Sequence, residues 1–178
     1  MSQEVRAHQK EMNFAVFGYL GAITLANLSL LWFGPSAAIV NAFLLIGLDL
    51  TLRDRLHEAW GGQGLWPKML VLIASGSLLT VALNVDAWQI ALASAVAFGV
   101  AGCGDAVVYH WLRHKPYLWK VNGSNVTGSL LDSLIFPTLA FGLWMPELVL
   151  GQFLAKVAGG YCWALWFNRN DTLSRHAH

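Results

Sequence analysis

The sequence predicts an all-α integral membrane protein, a bundle of six transmembrane helices with both termini in the cytoplasm. Three observations lead there. The 178 residues are 56% hydrophobic and only 12% charged, about half the charged share of a soluble domain. Apolar stretches long enough to cross a bilayer, which takes about 20 residues of helix, recur six times. Ten of the eleven Lys and Arg residues fall before the first stretch, after the last, or in alternate connections, and the positive-inside rule assigns those segments to the cytoplasm.

The first span is read at 13–33. It follows the polar segment MSQEVRAHQKEMN, which carries Arg6 and Lys10; no cleavable signal peptide is expected, because the apolar stretch is long enough to span. The turn FGPS leads into the second span, 35–52, which stops at Arg53 and Arg55. The third, 67–84, opens at Lys68 after RDRLHEAWGGQGLWPK. The turn NVDA leads into the fourth, 87–112, which runs into RHKPYLWKVNG, read as a polar connection with Arg113, Lys115 and Lys120. The fifth is 124–143. The turn WMPE gives the sixth, 147–167, followed by Arg169 and Arg175. Residues 1–178 therefore form a single transmembrane domain. Trp60, Trp66, Trp119 and Trp144 sit at span ends, where tryptophan anchors helices at the interface, and His57, His110 and His114 are read as interfacial too. The sequons at Asn122 and Asn125 fall at the cytoplasmic entrance of the fifth span, where no glycan is expected.

Several function classes drop out. The net charge is +1, with no basic tract to attract nucleic acid. Cys103 and Cys162 have no metal-ligand or disulfide spacing, so neither a metal nor another cofactor is expected. No Walker A sequence is present, so the chain does not itself hydrolyse ATP.

The polar residues inside the spans carry the functional reading. Asn122, Asn125, Ser129 and Asp132 are spaced three, four and three apart, which lines them along one helical face. Gln152 and Lys156 share a face of the sixth span. At about 1.5 Å per residue, Asp132 lies about 12–15 Å from the cytoplasmic end of its span and Lys156 about 13 Å from the outer end of the next. In a core about 30 Å thick they meet near the middle. Asp105 stands one turn after Gly102 and one before Tyr109, and Asp49 two turns after Asn41. Polar contacts of this kind hold helices together, the reading given to Asn13, Asn27, Asn41, Ser75 and Ser77. Three carboxylates and a lysine converging in one small bundle read instead as a site, because ionisable groups at such depth mark pathways. Gly99, Gly102, Gly104, Gly159 and Gly160 allow either close helix approach or backbone beside a flat ligand.

Three blocks in order, LDLTLRDRL, ALASAVAFGVAGCGDAVVYHWLR with GSNVTGSLLDSLIFPTLAFG, and GQFLAKV, resemble the VUT family of vitamin uptake transporters, whose better-understood members move queuosine precursors, 7-deazaguanine bases such as preQ0 and preQ1. The resemblance covers most of residues 40 to 160. It implies roles for Asp49 and Arg53, Asp105 with Tyr109, Ser124, Gly128, Asp132 and Phe136, and Lys156. The sequence departs from many relatives in carrying Gly102 where they have Gln and Ser129 where they have an amide. A deazaguanine offers a carboxylate an N–H and an amino group side by side, and its acceptors need donors such as Asn, Ser or Lys. The expected site is a midplane pocket between the fourth, fifth and sixth spans, with Asp132, Lys156, Asn125, Asp105, Ser129, Gln152 and Ser124 binding substrate. Asp49, Arg53 and Tyr109 are expected in coupling or structural roles.

With a bacterial-type source assumed, the expected location is the inner membrane, and the resemblance leaves energy coupling open. It admits a homo-oligomer, or an energising ATPase partner like those recruited by similar vitamin-transporter subunits. Three alternatives stand beside it: a transporter or binding subunit for another vitamin or nucleobase; a Gly-x-Gly-Asp intramembrane aspartyl protease built on Gly102-Cys103-Gly104-Asp105 with Asp132 or Asp49 as second carboxylate; and a non-catalytic scaffold or small channel.

Overall fold

The computed structural model describes residues 3–60, 64–115 and 117–176, and every regular element among them is helical. Helix α1 (Gln3–Phe33) ends where Gly34 adopts φ 63, a left-handed conformation glycine enters without a steric penalty, and Pro35 lies in the 3-10 turn Gly34–Ala37. The chain returns through α2 (Ala38–Asn41), a π turn (Ala42–Ile46) and α3 (Gly47–Ala59), which run on without a break as one rod. Helix α4 (Leu65–Leu83) stops at Asn84, whose extended backbone lets its side chain accept from the Asp86 N–H at 3.0 Å. A 3-10 turn, Val85–Ala87, leads into α5 (Trp88–Trp111). Helix α6 (Tyr117–Phe141) ends at Gly142, φ 68. Helix α7 (Pro146–His176) opens on a proline, whose missing N–H would have no helical partner at that position, and on Glu147, which suits the positive end of the helix dipole.

Among the described residues four runs are long and apolar enough to cross a membrane: Gln9–Leu56, Trp66–Leu83, Val85–Val108 and Pro146–Arg169. The first holds both α1 and the returning rod. Helix α6 is not among them, because its polar stripe dilutes it; Ser124, Ser129, Asp132 and Ser133 are buried against neighbouring helices instead of facing lipid. The helices also outrun the apolar windows. α1 begins at Gln3, the rod continues to Ala59, α7 reaches His176, and 117–123, read as part of a polar connection, is the first part of α6. Hydropathy measures where lipid would be, whereas backbone hydrogen bonding carries a helix on into water wherever residues of adequate propensity follow.

The rods close into a ring. α1 packs on α3 and α4, α4 on α5, α5 along α6 in the most extensive seam, α6 on α7, and α7 on α3 and the π turn. One apolar cluster, around Tyr19, Ile23, Leu52, Leu56, Met69 and Phe167, fills the end of the bundle nearest the basic residues; a second, around Leu30, Ala38, Ile90, Ala97, Phe136 and Ala140, fills the other. Large apolar side chains such as Phe17, Trp32, Leu78, Val107 and Leu150 point outward and are exposed.

The contact between the rod and α7 is made by backbone. A Cβ at Gly47 would lie 2.6 Å from the Gly159 carbonyl carbon, and one at Gly159 would collide with the Phe43 carbonyl oxygen. Thr51 Oγ1 donates at 3.1 Å to Gly47 O and lies 3.3 Å from Gly160 O. Trp163 Nε1 donates to Leu44 O at 2.9 Å. That carbonyl lies within the π turn, where the wider i→i+5 pattern disturbs the regular ladder.

Candidate functional site

Lys156 (α7) is 2% exposed and sits among three acceptors. Its Nζ pairs with Asp132 Oδ2 and donates to Ser133 Oγ at 3.0 Å and to Gln152 Oε1 at 3.3 Å. An ammonium has three N–H donors, and all three are used. Adjacent positions on α6 supply Asp132 and Ser133, and an i, i+4 pair on α7 supplies Gln152 and the lysine. Pro137, one turn further along α6, has no N–H, so the backbone carbonyl of Ser133 also lacks its helical donor close to the lysine.

Beside this cluster lies a cavity of about 30 Å³, bordered by Asn27, Asn41, Ser94, Phe98, Asp132, Phe136, Gln152 and Lys156. That volume holds about two waters. The expected pocket lay between α5, α6 and α7; the cavity also takes walls from α1 through Asn27 and from α2 through Asn41. Both asparagines do join helices, as the sequence suggested: Asn27 Nδ2 lies 3.3 Å from Thr80 Oγ1, and Asn41 Nδ2 donates to Ala26 O at 3.2 Å and Ser29 Oγ at 2.6 Å. They also border the cavity, because ring closure places them opposite Asp132.

A second polar layer lies nearer the basic end. Arg53 Nη2 reaches Asn125 Oδ1 at 3.4 Å, linking α3 to α6. Asp49, 2% exposed, stands one turn before Arg53 and within the electrostatic reach of both Arg53 and Asp132. Asp105 packs by Gly128, where an added Cβ would sit 3.6 Å from the aspartate's own. Among the described residues, Asp49 Oδ1, Arg53 Nε, Asp105 Oδ1, Gln152 Nε2 and Thr24 Oγ1 are buried without a hydrogen-bond partner.

The residues named from sequence are thus divided. Asp132, Lys156 and Gln152 meet at the cavity. Asn125 faces Arg53, seven residues and roughly 10 Å along α6 from Asp132. Ser124 and Ser129 are buried in α6 but do not border the cavity. The side chains of Tyr109 and Asn122 lie outside the described residues. Sequence reasoning missed Ser133 and Tyr19, the latter 1% exposed and within the electrostatic reach of Asp49, Arg53 and Asp132; no spacing pattern singled either out. Asp132, offered as the second carboxylate of a protease, is bonded to a lysine. Among the described residues no group of His, Cys, Asp and Glu could hold a metal.

Comparison with known proteins gives one finding. The model of the family described as "Putative vitamin uptake transporter" matches residues 37–168. No curated protein and no solved structure matches.

Proposed function

The chain belongs to the "Putative vitamin uptake transporter" family, and from that premise we propose that it carries a queuosine precursor, a 7-deazaguanine base, across the membrane from a midplane site at Asp132, Gln152 and Lys156. In this reading all six rods span the bilayer, α6 included, with both termini cytoplasmic and the protein in the inner membrane. The observation that carries it is the buried Asp132–Lys156 pair beside a cavity whose largely apolar lining also holds Asn27, Asn41 and Gln152. Ionisable groups held at such depth mark substrate or ion pathways, and a carboxylate beside amide groups suits the edge of a purine-like base.

The cavity is far smaller than the roughly 300 Å³ or more of a site for a drug-sized ligand, so the conformation described is closed and rods must part to admit a base. In detergent, 7-deazaguanine at about one hundred times its Kd should stabilise the protein by about 2.7 kcal/mol, read as a raised Tm. Asp132→Asn and Lys156→Met should abolish the shift and cellular uptake. Near-normal uptake in both variants would overturn the proposal.

A further inference from the structure

We propose that Gln152 is the specificity-determining residue of this site, that it reads a carbonyl on the ligand, and that Lys156 is a positioning residue which does not touch the ligand. The inference rests on the transport reading above and defines the hydrogen-bonding class of its substrate.

The network fixes which way each amide points. Lys156 can only donate, so the Gln152 atom 3.3 Å from its Nζ is the carbonyl oxygen, and Nε2 is the other arm of the fork. That Nε2 is buried, belongs to a cavity-lining residue 2% exposed, and has no partner among the described residues. The same logic orients the opposite wall. Ser29 Oγ spends its hydrogen on Ala26 O at 2.9 Å, so it accepts from Asn41 Nδ2, which also donates to Ala26 O. Both N–H groups of Asn41 are spent, which leaves its Oδ1 as an acceptor. Thr80 Oγ1 spends its hydrogen on Gly76 O at 2.8 Å and so accepts from Asn27 Nδ2, leaving Asn27 Oδ1. Asp132 pairs with Lys156 through Oδ2 and retains Oδ1.

The residues that border the cavity therefore keep acceptor oxygens on α1, α2 and α6, a second N–H on Asn27, and, on α7, the Gln152 amide donor, whose direction Lys156 sets. Lys156 has no N–H to spare. Its work is to hold Asp132 and to keep the Gln152 amide from turning over. A ligand that satisfies this map presents amino and ring N–H groups to the acceptors and a neighbouring carbonyl oxygen to Gln152, as a 2-amino-oxo heterocycle does. Replacing that carbonyl by an amino group sets donor against donor and leaves Nε2 buried without an acceptor.

The test compares 7-deazaguanine with its diamino analogue, in which an amino group replaces the carbonyl oxygen and the adjoining ring nitrogen loses its hydrogen, by thermal shift and direct binding on the purified full chain. Wild-type protein should prefer the oxo base by at least about tenfold, as expected when a site's buried polar groups are left unpaired by the wrong ligand. The ring-nitrogen change is common to every variant, so the share owed to Gln152 is read as the change in preference. Gln152→Glu, which keeps one oxygen on Lys156 and offers the other as an acceptor, should cut the oxo preference by at least about tenfold. Gln152→Met, of similar length and no charge, should also lower it, which makes the test independent of how the membrane tolerates a new carboxylate. Binding by both variants with the wild-type oxo preference undiminished overturns this assignment alone. Failure of wild-type protein to bind either base overturns the transport reading with it.

Discussion

Lys156, Asp132, Ser133 and Gln152 hold one another, so none can be altered alone without stranding a neighbour. Lys156→Met leaves a buried carboxylate without its countercharge, a loss that costs about 3–5 kcal/mol when one partner of a buried pair is removed. The double variant Asp132→Leu/Lys156→Met should recover a substantial part of that loss in detergent unfolding, although it abolishes binding; a double variant no more stable than Lys156→Met would show that the pair is not coupled. Counting residues at helical rise was enough to bring Asp132 and Lys156 to one depth. It was not enough to sort the stripe on α6: positions three and four apart share a face, but that face is tall, and Asn125 at its basic end meets Arg53 rather than Lys156. Asn27 and Asn41 were legible only as helix-joining residues, because a side chain's free arm is visible only once its engaged arm has been placed.

Among the elements, the glycine-lined contact between the rod and α7 has the least room. Gly159→Ala forces a methyl group onto backbone atoms of Phe43, which cannot rotate away, and should destabilise by about 1–3 kcal/mol as overpacking does. Gly99→Ala meets nothing within 4 Å and should be neutral or stabilising by up to about 1 kcal/mol through helix propensity. Thermal unfolding of the two variants side by side checks this, and equal Tm values would refute it. The sequence flagged both glycines without distinguishing them, since small residues look alike until a partner surface is known. The π turn left no mark in the sequence at all; Ala42–Ile46 is an ordinary apolar run, and its departure from α geometry becomes intelligible only with Trp163 bonded to the Leu44 carbonyl.

For the whole molecule, alternating helices place the basic residues other than Lys156 at one end of the ring. In a cysteine-free background, Ser36→Cys and Asp86→Cys should react with an impermeant thiol reagent on intact cells, while Lys68→Cys and Lys115→Cys should react only after permeabilisation; the opposite pattern would invert the topology. Hydropathy and charge made the helical class and the short hairpin turns legible. They did not give the order in which rods meet around the ring, because lipid-facing and partner-facing surfaces are equally apolar. The Asp132–Lys156 bond lies across the seam between α6 and α7, a slimmer contact than the one between α5 and α6. In the proposed reading, a solute that donates a hydrogen bond to Asp132 Oδ1 draws on the same carboxylate that fastens that seam through Oδ2. Asp132 would then be clasp and reader at once, so any change there should touch the closing of the bundle and the binding of cargo together.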